Sequence, residues 1–163
     1  MLEAAIRSAG PRRTVILELA GGVLLPGHGG VATGPLDGWR TVLDMNPSMS
    51  GQRVVVAIAR NTGELPASIN SISIYFRLGP NGAQGELSLL GRNDFPALNP
   101  PLPARLDAGE SINWLTSLAT FEWVVSRTPL SRVEIPEFGA KAALGSGETI
   151  TSAWCAIALL PLP

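Results

Sequence analysis

Between Ser71 and Phe76 polar and apolar side chains alternate without a break, and that alternation constrains the fold more than any other feature of the chain. Ile72, Ile74 and Phe76 fall on one side while Ser71, Ser73 and Tyr75 fall on the other, the period-two pattern of a half-buried strand. A helix would scatter both sets around its axis. The same economy of short runs holds elsewhere, because the 18 glycines and 14 prolines are spread between apolar stretches and so mark frequent turns. The chain is therefore expected to be all-β.

Further strands follow from the same reasoning. Residues 14–19 alternate, with Val15, Leu17 and Leu19 opposite Thr14 and Glu18. VVVAIARNTG, from Val54, predicts a strand running into a turn, and SINSISIYF predicts the next one. Leu87 and Leu89 suggest a short strand. The proline-rich residues 95–103 are expected to cross without a ladder, since proline supplies no N–H donor. Leu106, Ile112 and Trp114 continue the core. From 115 to 125 the apolar spacing shifts to three and four, which predicts one short helix capping the sandwich. Residues 132–135 predict another strand, and Gly145, Ser146 and Gly147 a turn before the last one. That last strand, residues 150–160, is apolar on both faces, so it is expected to lie centrally or under another subunit.

Residues 21–38 have too many glycines for a helix and too few polar groups for a solvated linker, which predicts an extended arm laid over protein surface. The expected organisation is thus an N-terminal arm with one strand over residues 1–38, then a sandwich over 39–163.

Bulk properties narrow the function classes. A chain of 163 residues can bury a core without disulfides or metals. Its 12 basic and 13 acidic side chains leave a formal net charge of -1, so no global field gathers nucleic acid or anionic lipid. Only 15% of residues are charged against 45% hydrophobic, a balance that predicts apolar surface. Cys155 is the sole cysteine, which rules out an intrachain disulfide. The first residues carry Glu3 and lack the apolar core of a signal peptide, so assembly in a cytoplasm is expected. The longest apolar run, from Ala153, is about half of the ~20 residues a membrane helix needs.

From Val54 to Leu115 the chain resembles an immunoglobulin-like sandwich module of bacterial and tailed-bacteriophage proteins. In that pattern a strand ends in Asn-x-Gly, matched by Asn61, Thr62 and Gly63, and a strand of the form x-I-x-S-I-x-I follows, matched by residues 70–75. A segment L-P-x-x-L-x-x-G-E-S then precedes an aromatic strand, and here LPARLDAGES precedes Ile112, Asn113 and Trp114. Gly109 is expected to permit the tight turn, with Leu106 and Trp114 dropping into the core. The resemblance implies an immunoglobulin-like antiparallel sandwich and a virion role: capsid decoration or minor capsid protein, or else a tail or head–tail connector component. Protein subunits of the virion would be its partners, in a homo-oligomer or a larger assembly formed in the host cytoplasm.

Residues able to carry chemistry are sparse. His28 is the only histidine and sits in a glycine-rich loop with no nucleophile elbow. One His and one Cys write no zinc constellation, and Asp37, Asp44, Asp94 and Asp107 are too dispersed for a Ca²⁺ loop. Cys155 reads as a buried small hydrophobe. Glu134 and Glu137 flank Pro136 and read as turn residues in solvent rather than a glycosidase pair. Gly27, Gly29 and Gly30 lack the spacing of a phosphate loop. Arg7, Arg12 and Arg13 form the one basic cluster and are expected to face solvent or protein. Trp114 and Trp154 follow core alternation. No catalytic, cofactor-binding or metal-binding residue is therefore assigned, and the expectation is a non-enzymatic protein. The candidate subunit interface is Val23, Leu24, Leu25, Trp39, Ile157 and Leu159. The rival reading is a carbohydrate- or surface-binding module, with Trp39 and Trp123 as its platform.

Overall fold

The structure, a computed structural model, describes residues 14–25, 30–34, 52–78, 84–88, 94–120 and 136–156. Among these residues ten strands run in the order β1 (Val15–Leu24), β2 (Val31–Gly34), β3 (Gln52–Asn61), β4 (Ala67–Leu78), β5 (Gln84–Ser88), β6 (Ala104–Leu106), β7 (Ser111–Ser117), β8 (Pro136–Leu144), β9 (Thr149–Thr151) and β10 (Cys155–Ala156). They form two sheets. Sheet A has the order β2-β1-β3-β7, and sheet B has β10-β8-β4-β5, with β6 paired to β4 and β9 to β8. All pairings are antiparallel. In immunoglobulin lettering β1, β3 and β7 stand as A, B and E, and face β8, β4 and β5 as F, C and C′. The fold is an immunoglobulin-like all-β sandwich: the alternation predicts its β class, and the resemblance implies its immunoglobulin-like form.

The core lies between the sheets. Leu17 and Leu19 from β1, Val55, Ala57 and Ala59 from β3 and Trp114 from β7 meet Ile69, Ile72, Ile74 and Phe76 from β4 and Phe138, Ala140, Ala142 and Leu144 from β8. Ile72, Ile74, Phe76, Leu106 and Trp114 are all buried as expected. One irregularity refines the picture of β4. Its pairing with β8 shifts between Ile69 and Ser71, so that Ile69 and Ile72 both face inward across the bulge.

Two turns are fixed by identifiable residues. The Asn61 side chain is fully buried; its Oδ1 accepts from the Gly63 N–H (3.0 Å) while Nδ2 donates to the carbonyls of Leu65 (2.9 Å) and Leu106 (3.0 Å). The Asn-x-Gly turn is thus tied to the end of β6. Gly109 sits at φ +79, in the left-handed region that favours glycine, and the Asp107 N–H donates to Glu110 Oε2 beside it (2.8 Å). The expected role of Gly109 holds. Gly147 takes the same conformation (φ +87) in the expected turn between β8 and β9.

Four expectations need correction. The stretch after Gly21 is not an arm where it is described: Gly21–Leu24 pairs with Val31–Gly34 as a hairpin inside sheet A. Gly22 allows that closeness, since a Cβ there would lie 2.9 Å from Val31 and 3.1 Å from the Ala32 carbonyl oxygen. Residues 115–117 belong to β7 rather than to the helix, because Leu115 and Thr116 are held in the ladder with β3; the expected helix begins at 118, and of it residues 118–120 are described. The final strand is broken into β9 and β10. There the Ser152 N–H donates to the Ala140 carbonyl while Ser152 Oγ takes the Ala140 N–H (2.8 Å), so a hydroxyl replaces the main-chain carbonyl and interrupts the ladder. Finally, Trp154 is partly exposed outside the core. The strand expected at 132–135 lies outside the described residues.

Candidate interaction surfaces

The first and last strands border one groove. β1 is paired with β3 along its whole length, whereas β2 covers only residues 21–24 of its other edge. Pro35 follows Gly34 in the sequence and brings no N–H with which to extend β2. Among the described residues, 15–20 have no ladder partner on that edge. Beside them lies a groove of ≈ 470 Å³ lined by Leu17, Leu19, Thr33, Ile58, Ala153 and Cys155. Ile16 is 45% exposed, the most exposed large apolar side chain among the described residues. Glu18 and Arg60 pair across the outward face of β1 and β3 (3.6 Å), both about half exposed, and contribute little to stability.

The outward face of sheet B is a polar grid with an aromatic centre. Cross-strand register places Gln84, Arg77 and Glu137 in one row and Glu86, Tyr75 and Gly139 in the next. Tyr75 lies across Gly139, where a Cβ would come within 2.8 Å of its ring. Trp154 stands edge-on to Tyr75, ring centroids 4.3 Å apart and planes at 75°. Arg77 stacks over Trp154 (4.3 Å) and donates from Nε to Glu137 Oε2 (2.6 Å). On the other side Lys141 Nζ reaches across β4 to Glu86 Oε2 (3.1 Å). A hydrogen bond from Ser73, and then the Lys141 ammonium, hold the Glu86 carboxyl below the ordinary glutamate range. A shallow pocket of ≈ 310 Å³ opens there, lined by Tyr75, Gln84, Gly85, Glu86 and Lys141.

The residues expected at a subunit interface divide. Val23 is buried at 1% exposure within its own chain, so it is withdrawn from the interface. Leu24 is half-buried, packed with Val31 and Ile58 against the small outer cluster of Val54, Val56, Phe95 and Leu115. Leu25 is half-buried and its N–H donates to the Gly30 carbonyl (3.0 Å). Trp39, Ile157 and Leu159 lie outside the described residues, as do His28, Trp123, Asp37, Asp44, Glu134, Gly27, Gly29 and the arginine cluster. Cys155 is half-buried against the core rather than fully enclosed. Glu137, expected as a turn residue, is a strand residue paired with Arg77. The Tyr75 grid escaped sequence reasoning, although the outward-facing Ser73 and Tyr75 were a legible signal.

Among the described residues no group of three or more His, Cys, Asp or Glu is placed to hold a metal ion. No helix among them is long and apolar enough to cross a membrane. No family model matches the chain, and no curated protein matches it. Among solved structures the chain is similar to the crystal structure of a Bordetella pertussis protein provisionally assigned as ApaA, at 11% identity and a TM-score of 0.42, over 92% of this chain and 97% of the other. A likeness that loose transfers no function.

Proposed function

We propose that this chain is a non-enzymatic structural module that packs on neighbouring protein subunits, with the β1 edge as its contact. One observation carries the reading: residues 15–20 have no ladder partner on their second edge among the described residues, beside the exposed Ile16. Backbone N–H and C=O groups in a row are a template for a further strand, and an apolar side chain at the same place adds burial when the strand arrives. The groove bordered by Ala153 and Cys155 supplies a second wall for that strand.

The sequence resemblance to virion sandwich modules supports a virion as the assembly: capsid decoration or minor capsid protein, with tail or connector component as the alternative within the same class. Purification of particles from cells carrying the gene, followed by mass spectrometry, tests that assignment. Detection of the chain in stoichiometric amount is expected, and its absence from intact particles rejects the virion role. The packing itself is tested by light scattering on the purified chain and its Ile16→Lys variant.

A further inference from the structure

We propose that the pocket beside Tyr75 on the outward face of sheet B binds a neutral pyranose sugar. This site goes beyond subunit packing and lies on the opposite sheet from the β1 edge.

The chemistry of the lining selects the ligand. Tyr75 cannot swing freely, because Gly139 lies beneath its ring and Trp154 braces it edge-on, itself held by the Arg77 stack. A ring fixed in this way is a preorganised platform, and aromatic platforms present apolar area to the C–H face of a sugar. Around it stand the Gln84 amide, with two donors and an acceptor, the Glu86 carboxylate with spare lone pairs, and the Lys141 ammonium with further protons to donate. Donors and acceptors thus stand together in one lining, as the hydroxyls of a pyranose require.

Charge decides against anions. Both cations of the grid already have carboxylate partners, Arg77 with Glu137 and Lys141 with Glu86, so an anionic ligand meets no uncompensated positive charge. Bulky apolar ligands fit no better, since among the described residues one tyrosine is the only aromatic side chain of the lining. A neutral polyol matches what remains. Glu86 is held ionised by Ser73 and Lys141, which keeps it an acceptor for sugar hydroxyls at neutral pH.

Saturation-transfer difference NMR on the full-length chain tests the site, with the methyl glycosides of glucose, galactose, mannose and N-acetylglucosamine as probes. The method reads the ligand's protons and works whether or not the chain is oligomeric. At least one probe is expected to bind saturably in the millimolar range, with transfer concentrated on one face of its ring. Tyr75→Ala and, independently, Gln84→Ala should each weaken that binding roughly tenfold or more, with circular dichroism unchanged. Tyr75→Phe should retain most of it. Absence of saturable transfer for all four probes overturns the proposal, as does transfer that survives both Gln84→Ala and a folded Tyr75→Ala. Either result leaves the packing of the β1 edge untouched, because that is read by molar mass.

Discussion

Asn99 exchanges two hydrogen bonds with the backbone of Leu115: Nδ2 donates to the Leu115 carbonyl at 2.8 Å, and the Leu115 N–H donates to Oδ1 at 2.7 Å. An amide side chain thereby takes the place of a strand on the outer edge of β7. Two residues on, the Ser117 N–H donates to Asp94 Oδ2 at 3.0 Å. Sheet A is closed at its β7 edge by side chains, a recognised defence against unwanted strand addition. No such cover is described for residues 15–20 of β1, and this asymmetry underlies the functional reading.

Replacing Asn99 with alanine leaves a buried N–H and C=O of Leu115 without their partner, at a cost of about 2 kcal/mol. Urea denaturation should show that loss with an unchanged m-value. Asn99→Asp sets a carboxylate oxygen against the Leu115 carbonyl in a buried site, so at neutral pH it should cost at least as much as the alanine.

Asn61 is the sharper case, because one enclosed amide serves three backbone groups in the β3–β4 turn and at the end of β6. Asn61→Ala should destabilise by about 2–4 kcal/mol, more than any exposed substitution in the same turn. Thermal unfolding of Asn61→Ala beside Thr62→Ala checks the comparison.

Adjacent residues of β4 cover glycines on opposite faces. Tyr75 lies over Gly139 outside, and a Cβ on Gly85 would overlap the Phe76 ring inside. Phe76 is buried and cannot yield, so Gly85→Ala should cost about 1–3 kcal/mol by overpacking. Tyr75 meets Gly139 only with the outer end of its ring, where a slight tilt that keeps the Trp154 contact relieves the overlap, so Gly139→Ala should cost less. Parallel melts of the two variants decide it.

Glu86 sets a pH signature. Its folded pKa lies below the ordinary value of 4.5, so its contribution to stability is complete above that value and is lost as pH falls through the folded pKa. The melting temperature of the wild type should exceed that of Glu86→Gln at neutral pH, and the gap should close on acidification. A gap that widens towards acid contradicts the Ser73 and Lys141 contacts.

What was legible in the sequence was local. Ile72, Ile74 and Phe76 declare their strand by alternation, and Gly109 and the Asn61 turn declare themselves by residue type. β8 was missed because Pro136, Gly139 and a run of alanines carry no period; its place depends on β4, whose Tyr75 fills the space above Gly139. The first half of β1 is legible as a strand, whereas the hairpin from Gly21 on reads as an arm, because glycines that permit close strand contact look, in isolation, like glycines that prevent order. The single final strand failed at Ser152, where a side-chain bond to Ala140 outweighs apolar propensity. Sites assembled by register, such as the Tyr75 grid, bring together residues as distant as Gln84 and Lys141, and a linear pattern does not contain that information.

The central claim is that the β1 edge holds a neighbouring subunit, and molar mass by light scattering after size exclusion measures it most directly. The wild-type chain should elute as an oligomer whose mass rises with concentration, and Ile16→Lys should elute as a folded monomer, since a charged side chain on the edge opposes strand addition. A wild-type chain that stays monomeric at every concentration, or an Ile16→Lys variant that assembles as the wild type does, would contradict the account.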